Sequence, residues 1–200
     1  MMELKNRLEH IEKTLDCFLP EKINSSWISQ SFGELAYGLP DGFFLNIINP
    51  VRDLVKRGGK RWRPLLCVLS CELVEGDPER AYPLTPLIEF CHTASLVHDD
   101  IEDKSDTRRG APAAHIKYGL DTALNSASWL YFEALNPLIN YEVSESVRAE
   151  IYSFYSQNLR RLHLGQSMDI GWHSNPDIIP SVDEYITMIS LKTGSLAKLA

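Results

Sequence analysis

The apolar residues of this 200-residue chain recur at intervals of three and four, and not at intervals of two. Intervals of three and four place side chains on one face of an α-helix, whereas strict alternation is typical of a half-buried strand. Residues 4–15 show the helical pattern first, with leucine and isoleucine on a single face. Because no alternating segment occurs in the sequence, we predict an all-α fold.

Turn-forming residues separate the predicted helices. A helix over residues 43–57 ends before Gly58-Gly59, a sequence typical of a helix C-cap. Further helices are predicted over residues 65–73, 84–99, 120–138 and 145–170. Ser181 and Glu184 form an S-x-x-E capping box, which predicts a last helix from there to the end of the chain. No repeat and no linker is evident, so we expect residues 1–200 to form a single helical domain.

Composition excludes several classes of protein. The formal net charge of −7 argues against a general nucleic-acid binder, because such proteins usually carry a basic excess. The N-terminus is charged and unlike a signal peptide, and no apolar run approaches the ~20 residues of a membrane span. We therefore predict a cytoplasmic protein that is not integral to a membrane. We interpret the four cysteines as reduced core residues, with a subunit contact as the alternative for Cys67 and Cys71.

The central feature is an acidic cluster, HDDIEDKSDTRRG, at the end of an apolar predicted helix. Asp99 and Asp103 are four residues apart, so a helix would place both carboxylates on one face, with Asp100 beside them. Carboxylates at a helix C-terminus repel each other and face the negative end of the dipole, which indicates a cation between them. Mg²⁺ fits best, because it prefers oxygen ligands and commonly bridges carboxylates to substrate phosphates. The alternative is a solvated, charge-rich helix end.

Two basic segments complement the acidic cluster. Arg108 and Arg109 follow it across a short loop, and GGKRWRP brings Lys60, Arg61 and Arg63 next to two glycines. Arginine binds phosphate through two parallel hydrogen bonds, and glycine lets backbone N–H groups approach an anion. Either segment alone is typical of a solvated helix end. Together with the acids, they predict two anion sites, one bridged by metal and one held by cations alone.

Four blocks of the sequence, in this order, resemble those of the trans-isoprenyl diphosphate synthases, or polyprenyl synthetases. GGKRWRP is similar to the family's G-G-K-x-x-R-P block, and LVHDDIEDKSDTRRG to its first aspartate-rich motif with the trailing arginine pair. LHLGQSMDIGW resembles the G-Q-x-x-D segment, and ISLKTGSLAKLA the K-T-G segment. The resemblance covers most of the chain and implies an antiparallel helical bundle around a central prenyl-binding cavity.

The resemblance also implies a reaction, the condensation of isopentenyl diphosphate with an allylic diphosphate by a Mg²⁺-dependent homodimer. The residues expected to bind Mg²⁺ at the allylic diphosphate, with help from Arg108, are Asp99, Asp100 and Asp103. Those expected to hold isopentenyl diphosphate are Lys60, Arg63, His92 and Arg109. Those expected at the reaction centre are Gln166, Asp169, Lys192 and Thr193. His92 lies two helical turns before Asp99 on the same face, although a core histidine is the alternative.

The helix before Asp99 predicts the length of the product. One helical turn rises ~5.4 Å, which is close to one isoprene unit. The residues one turn before the acids, Ala94 and Ser95, are small and leave room for a growing tail. We therefore expect products of geranylgeranyl length or longer, although Trp129 or Tyr131 could still shorten the pocket.

The sequence departs from the family pattern because it reaches Ala200 without a second aspartate-rich motif. We therefore expect a chain that is truncated before that motif and has little or no activity alone. Two other functions stay open, a non-catalytic subunit of a heteromeric prenyl diphosphate synthase and a terpene cyclase. A cyclase has no need of the second diphosphate site that GGKRWRP and Arg109 predict.

Overall fold

The computed structural model describes residues 3–200 and confirms the all-α class. The chain divides into two compact units, one that ends at Asn140 and one from Tyr141 to Ala200. The single-domain organisation and the central prenyl-binding cavity therefore stay predictions. Within the described residues, no helix is both long enough and apolar enough to cross a bilayer.

The first unit consists of α-helices joined by short turns. Within residues 3–140 these are α1 (Leu4–Phe18), α2 (Ser25–Phe32), α3 (Asp41–Lys56), α4 (Trp62–Leu73), α5 (Thr85–Glu102), α6 (Ala114–Tyr118) and α7 (Leu120–Glu133). Single 3-10 turns lie at Pro78–Arg80, Tyr82–Leu84 and Asn136–Leu138. A two-residue hairpin, β1 (Thr107–Arg108) and β2 (Ala111–Pro112), lies in the loop after α5.

The predicted helix over residues 120–138 is too long, because α7 already ends at Glu133. Pro137 lies in the 3-10 turn that follows. Proline lacks a backbone N–H and disfavours helical geometry at the preceding residue, which favours the end of the α-helix before this segment.

The helix α2 was missed by the sequence patterns, since eight residues are too few to establish a period. Asn24 begins it, because its side-chain oxygen accepts the Trp27 backbone N–H at 2.9 Å. The Trp27 ring packs edge-on against Phe44 of α3 and Trp129 of α7, with centroids 6.4 Å apart in both cases. This aromatic cluster fastens α2 to α3 and α7.

Small side chains let α5 pack closely against its neighbours. A core cluster joins Leu54 of α3 and Val97 of α5 to alanines 114, 123 and 127. Alanine at such contacts brings helix backbones close together, so few side-chain atoms separate them. All residues from 85 to 91 of α5 are buried. The acidic cluster therefore ends a core helix.

The second unit contains α8 (Glu145–Ser174), α9 (Val182–Lys192) and α10 (Gly194–Leu199). The predicted capping box is confirmed, since the Glu184 carboxylate accepts the Ser181 backbone N–H at 2.7 Å and the Ser181 hydroxyl accepts the Glu184 N–H at 3.3 Å. The prediction of one uninterrupted last helix is wrong. The helix breaks at Thr193 before Gly194, two residues with low helix propensity.

The cysteines differ in burial more than the sequence indicated. All four have free thiols, but only Cys91 is buried, whereas Cys67 and Cys71 are half-buried and Cys17 is exposed. The interpretation of Cys17 as a core residue is wrong, because it faces away from the buried stripe of α1. Burial raises the pKa of the Cys67 thiol to about 11, which keeps it protonated and unreactive at neutral pH.

A buried carboxyl group joins α2 to the end of α7. Glu133 is 3% exposed, and its side chain accepts hydrogen bonds from Ser31 at 3.0 Å and Asn136 at 2.7 Å. Burial raises the pKa of Glu133 to about 7, although both hydrogen bonds favour the charged form. At neutral pH this group lies close to its titration midpoint.

We predict that Glu133→Gln removes a pH dependence of the folding free energy. Between pH 4.5 and about 7 the unfolded chain releases this proton while the folded chain retains it. The stability of the wild type relative to the variant should fall by up to ~1.4 kcal/mol per pH unit in that window and level off above it. Urea unfolding at pH 5 and pH 8 measures this difference.

The exposed Glu34 provides the matched control, since Glu34→Gln should leave the pH profile of stability unchanged. Parallel profiles for the wild type and Glu133→Gln would contradict the assignment of a raised pKa to this carboxyl group.

Candidate functional site

The acidic cluster lies at the C-terminal end of α5. Asp99 is partly exposed on the last turn, Asp100 is buried, and Asp103 is the exposed residue that caps the helix. The three acids therefore differ in their surroundings, although they are close in sequence. Across residues 3–200, no group of three or more His, Cys, Asp or Glu side chains is arranged to hold a metal ion by itself.

Arg108 is bound by the acids. Its Nε donates to Asp100 Oδ1 at 2.8 Å, its Nη2 donates to the same oxygen, and Nη2 lies 3.4 Å from Asp99 Oδ2. The hydrogen bond that Arg108 donates to Asp100 raises the pKa of Arg108, so the guanidinium stays charged. Asp100 Oδ2 is buried and has no hydrogen-bond partner in the described part of the chain. This oxygen is the one through which Asp100 would reach a cation.

Arg109 points away from the acids. Its backbone is left-handed, with φ of 53°, and its Nη1 donates to Leu54 O at 3.0 Å and to Gly58 O. The guanidinium also lies over Gly59, where a Cβ would be 3.1 Å from Nη2. Carbonyl groups at a helix C-terminus carry partial negative charge, so the end of α3 is a favourable place for this cation.

Arg109 lines a narrow cleft of about 220 Å³ with Lys60, Arg63 and His92. The four side chains that the sequence assigned to isopentenyl diphosphate are therefore brought together. Arg61 and Glu89 also line the cleft, and Glu89 is the one carboxylate among the described residues that do so. The cleft is strongly basic as a result.

Burial and the neighbouring cations keep His92 deprotonated. Burial and then the charges of Arg63 and Arg109 lower the pKa of His92 to about 3, so the ring is neutral. Arg63 Nη1 lies 3.4 Å from His92 Nε2. Because arginine can only donate, Nε2 is the acceptor and the ring proton is on Nδ1. Arg63 Nε is buried and lacks a hydrogen-bond partner within residues 3–200, which suits an incoming anion.

The sequence patterns counted Arg61 among the cations of an anion site and assigned no role to Glu89, whereas the structure pairs these two side chains. The Arg61 guanidinium donates to the Glu89 carboxylate at 2.6 Å, and both side chains are almost fully buried. Glu89 could have been found from the sequence, because it is an acid inside the apolar run PLTPLIEFCHTASLV. A buried acid in a core helix requires a cationic partner.

The two residues expected to determine product length face different directions. Ala94 is fully buried, whereas Ser95 is half-buried and donates its hydroxyl to His92 O at 2.8 Å. Tyr131 lies over the face of α5 that includes Ala94, with its ring 5.6 Å from that of His98. Trp129 instead stacks on Phe32 in the aromatic cluster around α2. Tyr131 is therefore the α7 aromatic residue that approaches α5.

Four predicted site residues belong to the second unit. Lys192 at the end of α9 donates to Asp169 Oδ2 of α8 at 2.5 Å. Gln166 lies one turn before Asp169, and Thr193 follows Lys192 at the break before α10. The sequence assigned these residues to one centre, and the structure places Asp169 and Lys192 in direct contact.

A close approach of two helix backbones holds that pair. A Cβ added at Gly165 of α8 would lie 2.8 Å from Leu191 Cβ, and closer still to the Lys192 backbone nitrogen. Only glycine fits this position without movement of α9. A Cβ added at Gly171, also in α8, would meet nothing within 4 Å.

Known proteins resemble the chain in sequence and structure. The polyprenyl synthetase family model matches residues 46–200. A geranylgeranyl diphosphate synthase of Sulfolobus acidocaldarius is 34% identical to this chain in sequence. The match covers 78% of this chain and 53% of the length of the relative. A geranylfarnesyl diphosphate synthase of Aeropyrum pernix is 34% identical, over 74% of this chain and 47% of its own.

A crystal structure of geranylgeranyl pyrophosphate synthetase from Pyrococcus horikoshii Ot3 superposes with a TM-score of 0.81 at 29% identity. The superposition covers 98% of this chain and 54% of that one. The chain thus spans about half the length of the relatives that it matches.

We predict that Gly165→Ala destabilises the second unit by about 2 kcal/mol or more, because overpacking a close contact typically costs ~1–3 kcal/mol. Gly171→Ala is the matched control, and it should be neutral or stabilising by up to ~1 kcal/mol through helix propensity. Urea unfolding of both variants measures the difference. Equal stability of the two variants would show that α8 and α9 do not pack as described.

Proposed function

The chain belongs to the polyprenyl synthetase family, and on that premise we propose that it carries the two diphosphate-binding sites of a prenyltransferase. The observation that carries the proposal is the opposite orientation of Arg108 and Arg109. Arg108 is bound to the acidic cluster, and Arg109 lines the basic cleft. The acidic cluster and the basic cleft thus lie on either side of one dipeptide, which supports separate sites for two diphosphates.

The basic cleft is the proposed site for isopentenyl diphosphate. Lys60, Arg63 and Arg109 supply positive charge there without a metal. The buried Arg63 Nε would donate to a diphosphate oxygen, and the His92 Nδ1 proton provides a neutral donor. A neutral histidine suits the cleft, because another positive charge among the arginines would be repelled.

Asp99 and Asp103 are the main proposed ligands of Mg²⁺, and Asp100 would contribute only through Oδ2. Fewer than three acids are arranged as a group among the described residues, so the coordination shell would be completed by diphosphate oxygens and water. Mg²⁺ is commonly held this way, by one or two carboxylates and substrate phosphates. When bound, the ion would stabilise negative charge on the departing diphosphate. Arg108, charged and anchored by Asp100, would bind the same diphosphate.

The proposed reaction begins when the bond between C1 of the allylic substrate and its diphosphate oxygen breaks. The electron pair leaves with the diphosphate, where Arg108 would stabilise it. The double bond of isopentenyl diphosphate then forms a carbon–carbon bond to the allylic cation. Loss of one proton from the new cation, to the released diphosphate, completes the elongation. Gln166 and Thr193 would steady the allylic cation, and Asp169 would orient Lys192.

We propose products of geranylgeranyl length or longer, as the names of the relatives support. The tail would extend along α5 past Ser95, which is half-buried and lies on a different face from the one that Tyr131 approaches. We further propose a cytoplasmic homodimer. Free thiols on all four cysteines suit a reducing compartment.

We predict that mutations separate the two sites in binding experiments on the 200-residue chain. Arg63→Gln and Arg109→Gln should weaken binding of isopentenyl diphosphate about tenfold or more, because each removes a charged hydrogen bond. Asp99→Asn and Asp103→Asn should instead abolish Mg²⁺-dependent binding of a non-hydrolysable allylic thiodiphosphate. Calorimetry with and without EDTA measures the affinities for both ligands. The control is Asp106→Asn, which changes an exposed acid beyond α5.

A turnover assay with Mg²⁺, an allylic diphosphate and labelled isopentenyl diphosphate distinguishes the remaining functions. Elongated diphosphate supports the prenyltransferase, and cyclic hydrocarbon from the allylic substrate alone supports a cyclase. Binding of both substrates without turnover favours a non-catalytic subunit. Failure of Arg109→Gln to weaken isopentenyl diphosphate binding would refute the assignment of the basic cleft.

We predict that Ser95→Phe discriminates against long prenyl tails, because the ring would block the path along α5. The affinity for geranylgeranyl diphosphate should fall about tenfold, as expected when ~1.4 kcal/mol of apolar contact is lost. The affinity for the shorter geranyl diphosphate should stay unchanged. Ser95→Ala, which adds no bulk, is the control. Equal losses for both ligands would place the tail elsewhere.

A further inference from the structure

Arg61 adopts an unusual backbone conformation in the middle of the basic cleft. Its φ of 48° and ψ of 26° are left-handed, and it begins α4 between Lys60 and Arg63. Such a conformation is unfavourable for a residue with a Cβ, and it persists only where the surroundings stabilise it. The directions of the Lys60 and Arg63 side chains therefore depend on a backbone turn at Arg61 that other contacts must stabilise.

The support comes from three helices through the Arg61 side chain, which is 1% exposed. Nη1 donates to Glu89 of α5 at 2.6 Å, and Nη2 donates to Val55 O of α3 at 2.6 Å. Nε donates to Glu12 of α1 at 2.7 Å. The guanidinium is thus surrounded by carboxylate and carbonyl oxygens and is not available to a ligand.

Glu12 connects the cleft to a part of the chain outside the family match. The match covers residues 46–200, whereas α1 ends at Phe18. The helix α1 holds α4 at a second point, where Arg7 donates to both oxygens of Glu72, each at 2.8 Å. The helix α1 therefore contacts α4 at both ends, through Arg61 at its start and through Glu72 in its last turn.

We propose that Arg61, braced by Glu89 and by Glu12 of α1, is a positioning residue that directs Lys60 and Arg63 into the diphosphate cleft. The inference rests on the proposed function of that cleft. It makes the N-terminal helix part of the isopentenyl diphosphate site, although no residue of α1 lines the cleft among the described residues.

A competing effect has the opposite sign. Removal of Glu12 or Glu89 makes the cleft more positive and releases Arg61, and both changes alone would strengthen the binding of an anion. Positioning dominates in our inference because the guanidinium is buried and because loss of a buried partner leaves a desolvated charge behind. The sign of the change in affinity therefore decides between the two effects.

The test measures binding of isopentenyl diphosphate to the 200-residue chain by calorimetry. Glu89→Gln should weaken binding about tenfold, and Glu12→Gln about threefold, since Glu12 is 42% exposed and its loss is better tolerated. Mg²⁺-dependent binding of the allylic thiodiphosphate should not change in Glu12→Gln. In an Arg61→Gln background, Glu12→Gln should have no further effect on affinity, because Glu12 acts through Arg61.

Glu72→Gln is the matched control for a purely structural effect. It breaks the other arginine pair of α1, so it should lower the melting temperature and leave the affinity for isopentenyl diphosphate unchanged. Should Glu89→Gln fail to fold, Glu12→Gln carries the test. Unchanged or tighter binding by Glu12→Gln, with a wild type that binds, overturns this inference. A wild type that does not bind isopentenyl diphosphate overturns the proposed function instead.

Discussion

The ion pair between Arg108 and Asp100 determines how charge is arranged in the first unit. Asp100 is buried, so it needs a cationic partner, and Arg108 supplies one through Nε and Nη2. With Arg108 held toward α5, the left-handed backbone of Arg109 sends the next guanidinium toward the end of α3. One buried carboxylate thereby separates an acidic site from a basic one over a distance of two residues.

The basic cleft tolerates its crowded cations by three different means. Arg109 is stabilised by backbone carbonyl oxygens, which carry only partial charge and leave the cleft positive. Arg61 is neutralised by the carboxylates of Glu12 and Glu89. His92 releases its proton. Lys60, Arg63 and Arg109 keep their charge for a ligand, and burial lowers the pKa of Arg63.

Sequence periodicity predicted the all-α class and most helices, since the helical period depends on local geometry alone. It missed α2, where an aromatic contact between Trp27 and residues far along the chain replaces a repeated pattern. The motifs predicted that Arg63, His92 and Arg109 would lie together, and they do. They did not reveal the role of Arg61, because a short sequence motif indicates neither a left-handed backbone nor partners from three other helices.

The contact at Gly165 fixes the axial register of α8 and α9. The backbones of α8 and α9 approach closely here because Gly165 has no side chain. A shift of α8 along α9 by one residue would place the side chain of Leu164 or Gln166 against the Lys192 backbone. The two helices can tilt or bend slightly, but they cannot slide past each other. The backbone of Lys192 is therefore held at a constant height along α8, which keeps its ammonium group within reach of Asp169.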